Sequence, residues 1–190
     1  CFWNFKIPIS FCCNDDLLIS TLYHKALCSY GDKMANEMLD RDGSLNGPFL
    51  MKAYGDAMAL VSETADYLQG AGIADCDALE IPMRAVFAGE SMRLTTRLMQ
   101  VVSWFLVWRG VEAGELTKEQ GREPSRRLGS VTVCMGMPAK GAEQLPDQLL
   151  DLLERSKGLF VQVMRIEAMI LDYGNEGGSP VHKLIDRLKS

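Results

Sequence analysis

No Cys-x-x-Cys pair occurs in the 190-residue chain, and only two histidines, His24 and His182, are available. A thiolate–imidazole zinc site is therefore not expected. Four of the six cysteines, Cys1, Cys12, Cys13 and Cys28, crowd the first 28 residues, leaving Cys76 and Cys134 for the rest. They read as buried or incidental thiols of a cytosolic protein. There is no glycine-rich phosphate loop with its lysine and no E-x-x-H pair of the di-iron kind. His182 has no serine or cysteine nucleophile arranged around it, and Glu63 and Asp66 fall on a different predicted helix from Glu90. Neither an enzyme nor a bound metal or cofactor is expected. Long apolar runs are also missing. The most apolar stretch, Val101–Trp108, is bracketed by Arg97 and Arg109 and falls far short of the roughly 18 residues a membrane span needs. The opening lacks a basic region followed by a long apolar run, so no signal peptide is expected. A formal charge of -5 argues against general nucleic-acid binding. No internal repeat is evident.

What is present is helical periodicity. With 47% hydrophobic and 24% charged residues, the composition is that of a globular domain. The strongest pattern is Glu90–Trp108, within a helix predicted from Pro82 to about Ala113. Phe87, Ser91, Leu94, Leu98, Val101, Phe105 and Trp108 recur at spacings of four and three, a coiled-coil-like seam. A second row, Ala88, Met92, Thr95, Met99, Val102 and Leu106, lies beside it. Gly89 and Gly110 each cost about 1 kcal/mol against alanine inside a helix. They are expected where a neighbouring backbone comes close.

Residues 1 to about 33 differ in character from the rest, and the expectation is that the true start is Met34. The turn-rich DRDGSLNGP leads to a first core helix over Phe49–Leu68, with Leu50, Tyr54, Ala57, Val61, Thr64 and Leu68 on one face. Pro48 suits its first position, and Gly70 and Gly72 stop it. Asp75–Leu79 reads as a short connection. Thr117 and Gln120 have capping-box spacing, Pro124 breaks the helix that follows, and Arg122, Arg126 and Arg127 form a basic cluster. Ser130–Gly141 alternates weakly but has no partner strand, so it is expected as a loop over the bundle. The third core helix runs from Pro146 to about Tyr173 on Leu149, Leu152, Ser156, Leu159, Val163, Ile166 and Ile170. Glycines close it. Ser179-Pro180 then opens a short terminal helix with Val181, Leu184, Ile185 and Leu188 on one face.

The fold class that follows is all-α: an antiparallel three-helix bundle over 46–173, with a long loop and a short C-terminal helix on a flexible tail, 174–190. Residues 1–45 are an extension outside it. The spare apolar row suits a dimer in which one patch meets itself. Leu94, Leu98, Val101, Val102, Phe105 and Leu106 are the dimer or core seam. Arg93, Arg97 and Gln100 share one helical edge with Glu90 and Thr96, and Trp104 continues it. That edge is a solvated face, a partner-docking surface or a helix–helix contact. Arginine and tryptophan together are frequent interface anchors.

The run from Gly89 to Gln100 (GESMRLTTRLMQ), the apolar run to Arg109 and the close Glu112–Thr117 (EAGELT) resemble the RcdA family, the bacterial regulators of CtrA degradation. Ala57–Leu68 matches as well, and Leu145–Ser156 more loosely. The resemblance spans roughly 49–173, is specific in the second core helix, and departs at 124–141. It implies a dimeric, non-enzymatic, cytoplasmic adaptor, at a cell pole when recruited. Such an adaptor docks on the AAA+ protease ClpXP, primed by a response-regulator partner, and tethers cell-cycle substrates for degradation. Under it the edge Glu90, Arg93, Thr96, Arg97, Gln100 and Trp104 becomes the partner surface. The tail, through Val181, Leu184, Ile185 and Leu188, becomes a docking tether. Two other classes stay open on the residues alone: a DNA-associated regulator using Arg122, Arg126 and Arg127, and a bundle binding a small apolar ligand among Leu94, Leu98, Phe105 and Phe160.

Overall fold

Asn46 starts the first helix. Its side chain accepts from the Phe49 N–H at 3.2 Å, and proline occupies the first turn. In the computed structural model, which describes Met38 and residues 45–175, helix α1 spans Gly47–Gln69. It buries Leu50, Ala57, Leu60, Thr64 and Tyr67. Gly70 ends it, but the chain does not become a loop. Helix α2 follows at once over Ala71–Ala78, where only a short connection is expected from the sequence. This tight restart depends on Gly72, because a Cβ there would lie 2.8 Å from the Tyr67 carbonyl oxygen. The Tyr67 hydroxyl donates to Asp75 at 2.8 Å and ties the two helices together. Burial and that bond push the Tyr67 phenol well above its ordinary range.

Helix α3, Ile81–Glu112, is the central helix of the described bundle. Phe87, Leu94, Leu98, Val101, Phe105 and Trp108 face inward, all at most 6% exposed. Gly114, with φ 75°, follows its end. A four-residue helix α4, Lys118–Gly121, opens on a complete capping box between Thr117 and Gln120. A 3₁₀ turn, Pro124–Arg126, comes next. Helix α5, Val131–Met135, then forms in the segment expected as loop, and a 3₁₀ turn, Ala142–Gln144, leads into the long helix α6, Asp147–Asn175. No strand ladder is built among the described residues.

The helix directions refine the expected bundle. α1 runs antiparallel to α3: Arg109 stacks over the Tyr54 ring at 4.6 Å, while Leu60 and Tyr67 share a core cluster with Phe87 and Leu94. α6 runs parallel to α3, because Arg97 meets Leu153 and Ser156 whereas Trp104, one and a half to two turns on, meets Glu167. Two parallel neighbours cannot be joined by a short turn. The connection from Ala113 to Pro146 must travel back along the full helix, and this is why it is long. Leu145, Leu149 and Leu152 close the core at the far end, each at most 3% exposed. Arg155 of α6 forks onto Glu63 of α1 at 2.7 and 2.8 Å, an exposed clamp across the antiparallel pair.

No helix among the described residues is long and apolar enough to cross a membrane. The expectations for Met34, the N-terminal cysteines, and Val181, Leu184, Ile185 and Leu188 lie outside the described residues.

Candidate functional site

One edge of α3 carries a polar side chain at almost every turn, and the returning connection lies along it. Near the C-terminal end, Gln100 Oε1 accepts from the Gly129 N–H at 2.9 Å. One turn back, Arg97 Nε donates to the Cys134 carbonyl at 2.7 Å. Arg93 follows, donating to the carbonyls of Gly136 and Met137 at 3.2 and 2.9 Å. Glu90 Oε1 then accepts from the Ala139 N–H at 2.9 Å. Residues 128–140 are thus a strap running antiparallel to α3, held by a ladder of side chains that bind its backbone. A three-four spacing on the helix supplies one rung per turn.

Each rung has a chemical reason. Donors (Arg93, Arg97) face carbonyls, and acceptors (Glu90, Gln100) face N–H groups. A Cβ at Gly129 would lie 2.9 Å from Gln100 Oε1, so glycine lets the strap come down onto that rung. The next residue, Ser130, takes φ 53° and turns the chain into α5. The last part of the ladder is Glu167 of α6. Its Oε1 accepts from Trp104 Nε1 at 2.9 Å and from the Leu128 N–H at 2.8 Å, joining α3, α6 and the strap. The sequence reading passes over Glu167. Its signal is a carboxylate four residues after Val163 and three before Ile170, on the apolar stripe of α6 where a charge is not expected.

These contacts place the residues predicted for partner binding. Glu90, Arg97 and Trp104 are 3%, 4% and 2% exposed. Arg93 and Gln100 are half-buried under the strap, and Arg93 also pairs with Glu90 at 3.4 Å. Thr96 is half-buried and bonds only its own helix, donating to the Met92 carbonyl at 2.7 Å. The edge therefore faces the chain's own strap and not open water. Of the three alternatives open on the sequence, its contacts are intramolecular. Arg97 is a buried cation whose hydrogen bonds go to neutral oxygens: two carbonyls and, at 3.5 Å, the Ser156 hydroxyl. Burial, with Arg93 nearby, lowers its pKa. Beside it the Cys134 thiol is fully buried, which pushes its pKa up.

The seam residues divide. Leu94, Leu98, Val101 and Phe105 are core. Val102 is half-buried and Leu106 is 49% exposed, in a row with Ile81, Met92 and Met99 at 82%, 72% and 64%. With Ala85, Ala88 and Thr95, also exposed, that row keeps alternating spacings of four and three from Ile81 to Leu106, about 37 Å of helix at 1.5 Å per residue. It lies on the side of α3 away from the core.

The residues behind the other two classes are engaged elsewhere. Arg126 pairs with Glu123 at 3.6 Å and donates to the Gln120 carbonyl, and Arg127 donates to the Arg122 carbonyl. The cluster staples its own turn. Leu94, Leu98, Phe105 and Phe160 are packed at 0–3% exposure. A surface groove of about 590 Å³ lies elsewhere, lined by Ser62, Glu63, Asp66, Tyr67 and Gln148 among others.

The chain is similar to a protein of solved structure over most of its length. The crystal structure of RcdA from Caulobacter crescentus CB15 shares 36% sequence identity with it, at a TM-score of 0.54, and covers 70% of this chain and 95% of that one. No curated protein matches. Residues 42–190 match the family described as "Protein of unknown function (DUF1465)". The chain therefore belongs to this RcdA-like family.

Proposed function

We propose that this protein is a non-enzymatic adaptor that tethers cell-cycle regulators to the ClpXP protease for regulated degradation. The observation that carries the reading is the 36% identity to RcdA over 95% of that chain. The architecture is compatible with it. An adaptor need only raise the local concentration of substrate at the protease, and a rigid scaffold with separate surfaces suffices. The long exposed row on α3 supports a homodimer built by α3 against its own copy, since an isologous contact pairs a patch with itself. The polar edge contributes to partner binding by fixing the strap. The C-terminal segment, with Val181, Leu184, Ile185 and Leu188, serves as the tether to the protease, and the adaptor works in the cytoplasm or at a cell pole.

Reconstituted proteolysis tests the proposal: ClpXP, its response-regulator priming partner and a candidate substrate, with and without this protein. Faster substrate loss that depends on the priming partner is expected. Unchanged degradation over a panel of cell-cycle regulators would overturn the reading. Removing residues 176–190 should abolish delivery while leaving the unfolding midpoint of the bundle unchanged. Delivery that survives the truncation removes the tether from the proposal.

A further inference from the structure

The strap is built inside out. A surface segment ordinarily turns its apolar side chains to the core and its backbone toward water. From Val131 to Met137 only Cys134 is buried, whereas Val131, Val133, Met135 and Met137 are 40%, 54%, 36% and 88% exposed. The segment is seated through its backbone, by Arg93, Arg97, Glu90 and Gln100. Those rungs bind backbone atoms and do not depend on the side chains at 133 and 137, the two most exposed of the four. The fold therefore does not require apolar residues at those two positions, yet four apolar side chains stand exposed within seven residues of a segment held by partly buried polar groups. An exposed apolar group in a positioned segment marks an interaction site, and methionine suits a surface that must fit variable sequences.

Charge narrows the occupant. From Arg122 to Lys140 the chain carries four basic residues, Arg122, Arg126, Arg127 and Lys140, against one acidic residue, Glu123, in a protein of formal charge -5. The apolar group is thus flanked by cations at both ends. The geometry points to a docking surface on the outer face of the strap for a linear protein segment that presents apolar side chains between acidic residues. A peptide fits better than an anionic membrane: the apolar group spans only seven residues, and the acidic remainder of the chain is repelled from a negative bilayer. This rests on the adaptor reading and names the kind of cargo or partner segment such an adaptor takes.

The test is selection of a phage-displayed random peptide library on the full chain, followed by fluorescence-anisotropy titration of the enriched peptides. Enrichment of acidic, apolar peptides is expected. Val133→Asp with Met137→Asp should weaken their binding roughly tenfold or more, and Arg127→Glu should weaken it and flatten its salt dependence. Both sites are exposed, so far-ultraviolet dichroism should be unchanged. Lys52→Gln, exposed on α1, should leave binding intact. Basic or consensus-free peptides would overturn the proposal, as would equal binding by the strap variants. So would a shift in oligomeric mass in the Val133→Asp, Met137→Asp variant, which would make the strap a contact between copies. Binding to phosphatidylserine vesicles lost in the same variant would also overturn it. Peptide binding with no effect on proteolysis defeats the adaptor reading alone. Accelerated proteolysis unaffected by the strap variants defeats this surface alone.

Discussion

Arg97→Met separates a structural rung from a docking residue. Methionine retains much of the apolar stem and removes every donor. Two hydrogen bonds from a charged donor are lost, to Cys134 at 2.7 Å and Leu153 at 3.2 Å. At about 1.5–3 kcal/mol each, their gross value is about 3–6 kcal/mol. The contact to Ser156 at 3.5 Å is too long to add much. Against this stands relief from burying a guanidinium, a penalty that methionine does not carry. The net expectation is a loss of about 2–4 kcal/mol, a large share of the roughly 5–15 kcal/mol that holds a domain together. Arg97→Ala should cost more, because it adds a cavity. Arg97→Lys should not restore stability, since a single ammonium cannot span two carbonyls as the fork does.

Equilibrium urea unfolding followed by circular dichroism measures the loss. Hydrogen exchange by mass spectrometry locates it, with faster exchange at the Gly129 and Ala139 amides, whose acceptors sit one rung above and two rungs below. An exposed docking arginine would behave differently, changing stability by at most about 0.5 kcal/mol. A result in that range, with strap exchange unchanged, would refute the ladder.

Other outcomes follow from the same contacts. Cys134 is 0% exposed with a raised pKa, so peptide mapping after alkylation should find it unlabelled in native protein and labelled in the Arg97→Met variant. Gly89 has no neighbour within 4 Å of a would-be Cβ, and Gly89→Ala should stabilise by about 0.5–1 kcal/mol in thermal unfolding. Gly72→Ala should destabilise, by about 1–3 kcal/mol in the same measurement, as its Cβ forces α2 away from the Tyr67 carbonyl. The Glu63 carboxyl is held below its ordinary 4.5 by the hydrogen bond from Arg155. Its contribution is complete above that value and disappears as pH falls through the lowered folded pKa. The pair is exposed, so acid titration of stability should show a difference of under about 1 kcal/mol between wild type and Glu63→Gln.

The three long helices were legible because each obeys one period over many turns, although the buried face of α1 is turned slightly from the predicted one: Tyr54, Val61 and Leu68 are half-buried, and Leu60 and Tyr67 are buried instead. In α6 Leu149, Leu152, Ser156, Val163, Ile166 and Ile170 are buried as their spacing predicts, and Leu159 is half-buried. The parallel course of α6 was not legible, because periodicity fixes which face of a helix is inside and says nothing of direction. α5 was missed because five residues give too little pattern. The expected role of Gly89 and Gly110 also differs: nothing approaches Gly89 and only side chains approach Gly110, whereas the Tyr67 backbone does approach Gly72.

The polar edge of α3 shows a deeper limit. Glutamate, arginine and glutamine one turn apart present the same donors and acceptors whether the backbone they bind belongs to a partner or to the same chain. Sequence spacing specifies a backbone-reading ladder and leaves the owner of the backbone open. The helix direction decides it. A connection between parallel neighbours must run the length of α3, so a strap of the right reach is always beside the ladder at an effective concentration no free partner matches. The polar rungs are then occupied in cis, and the strap they hold leaves Val131, Val133 and Met137 exposed. The edge positions that surface from one layer beneath it.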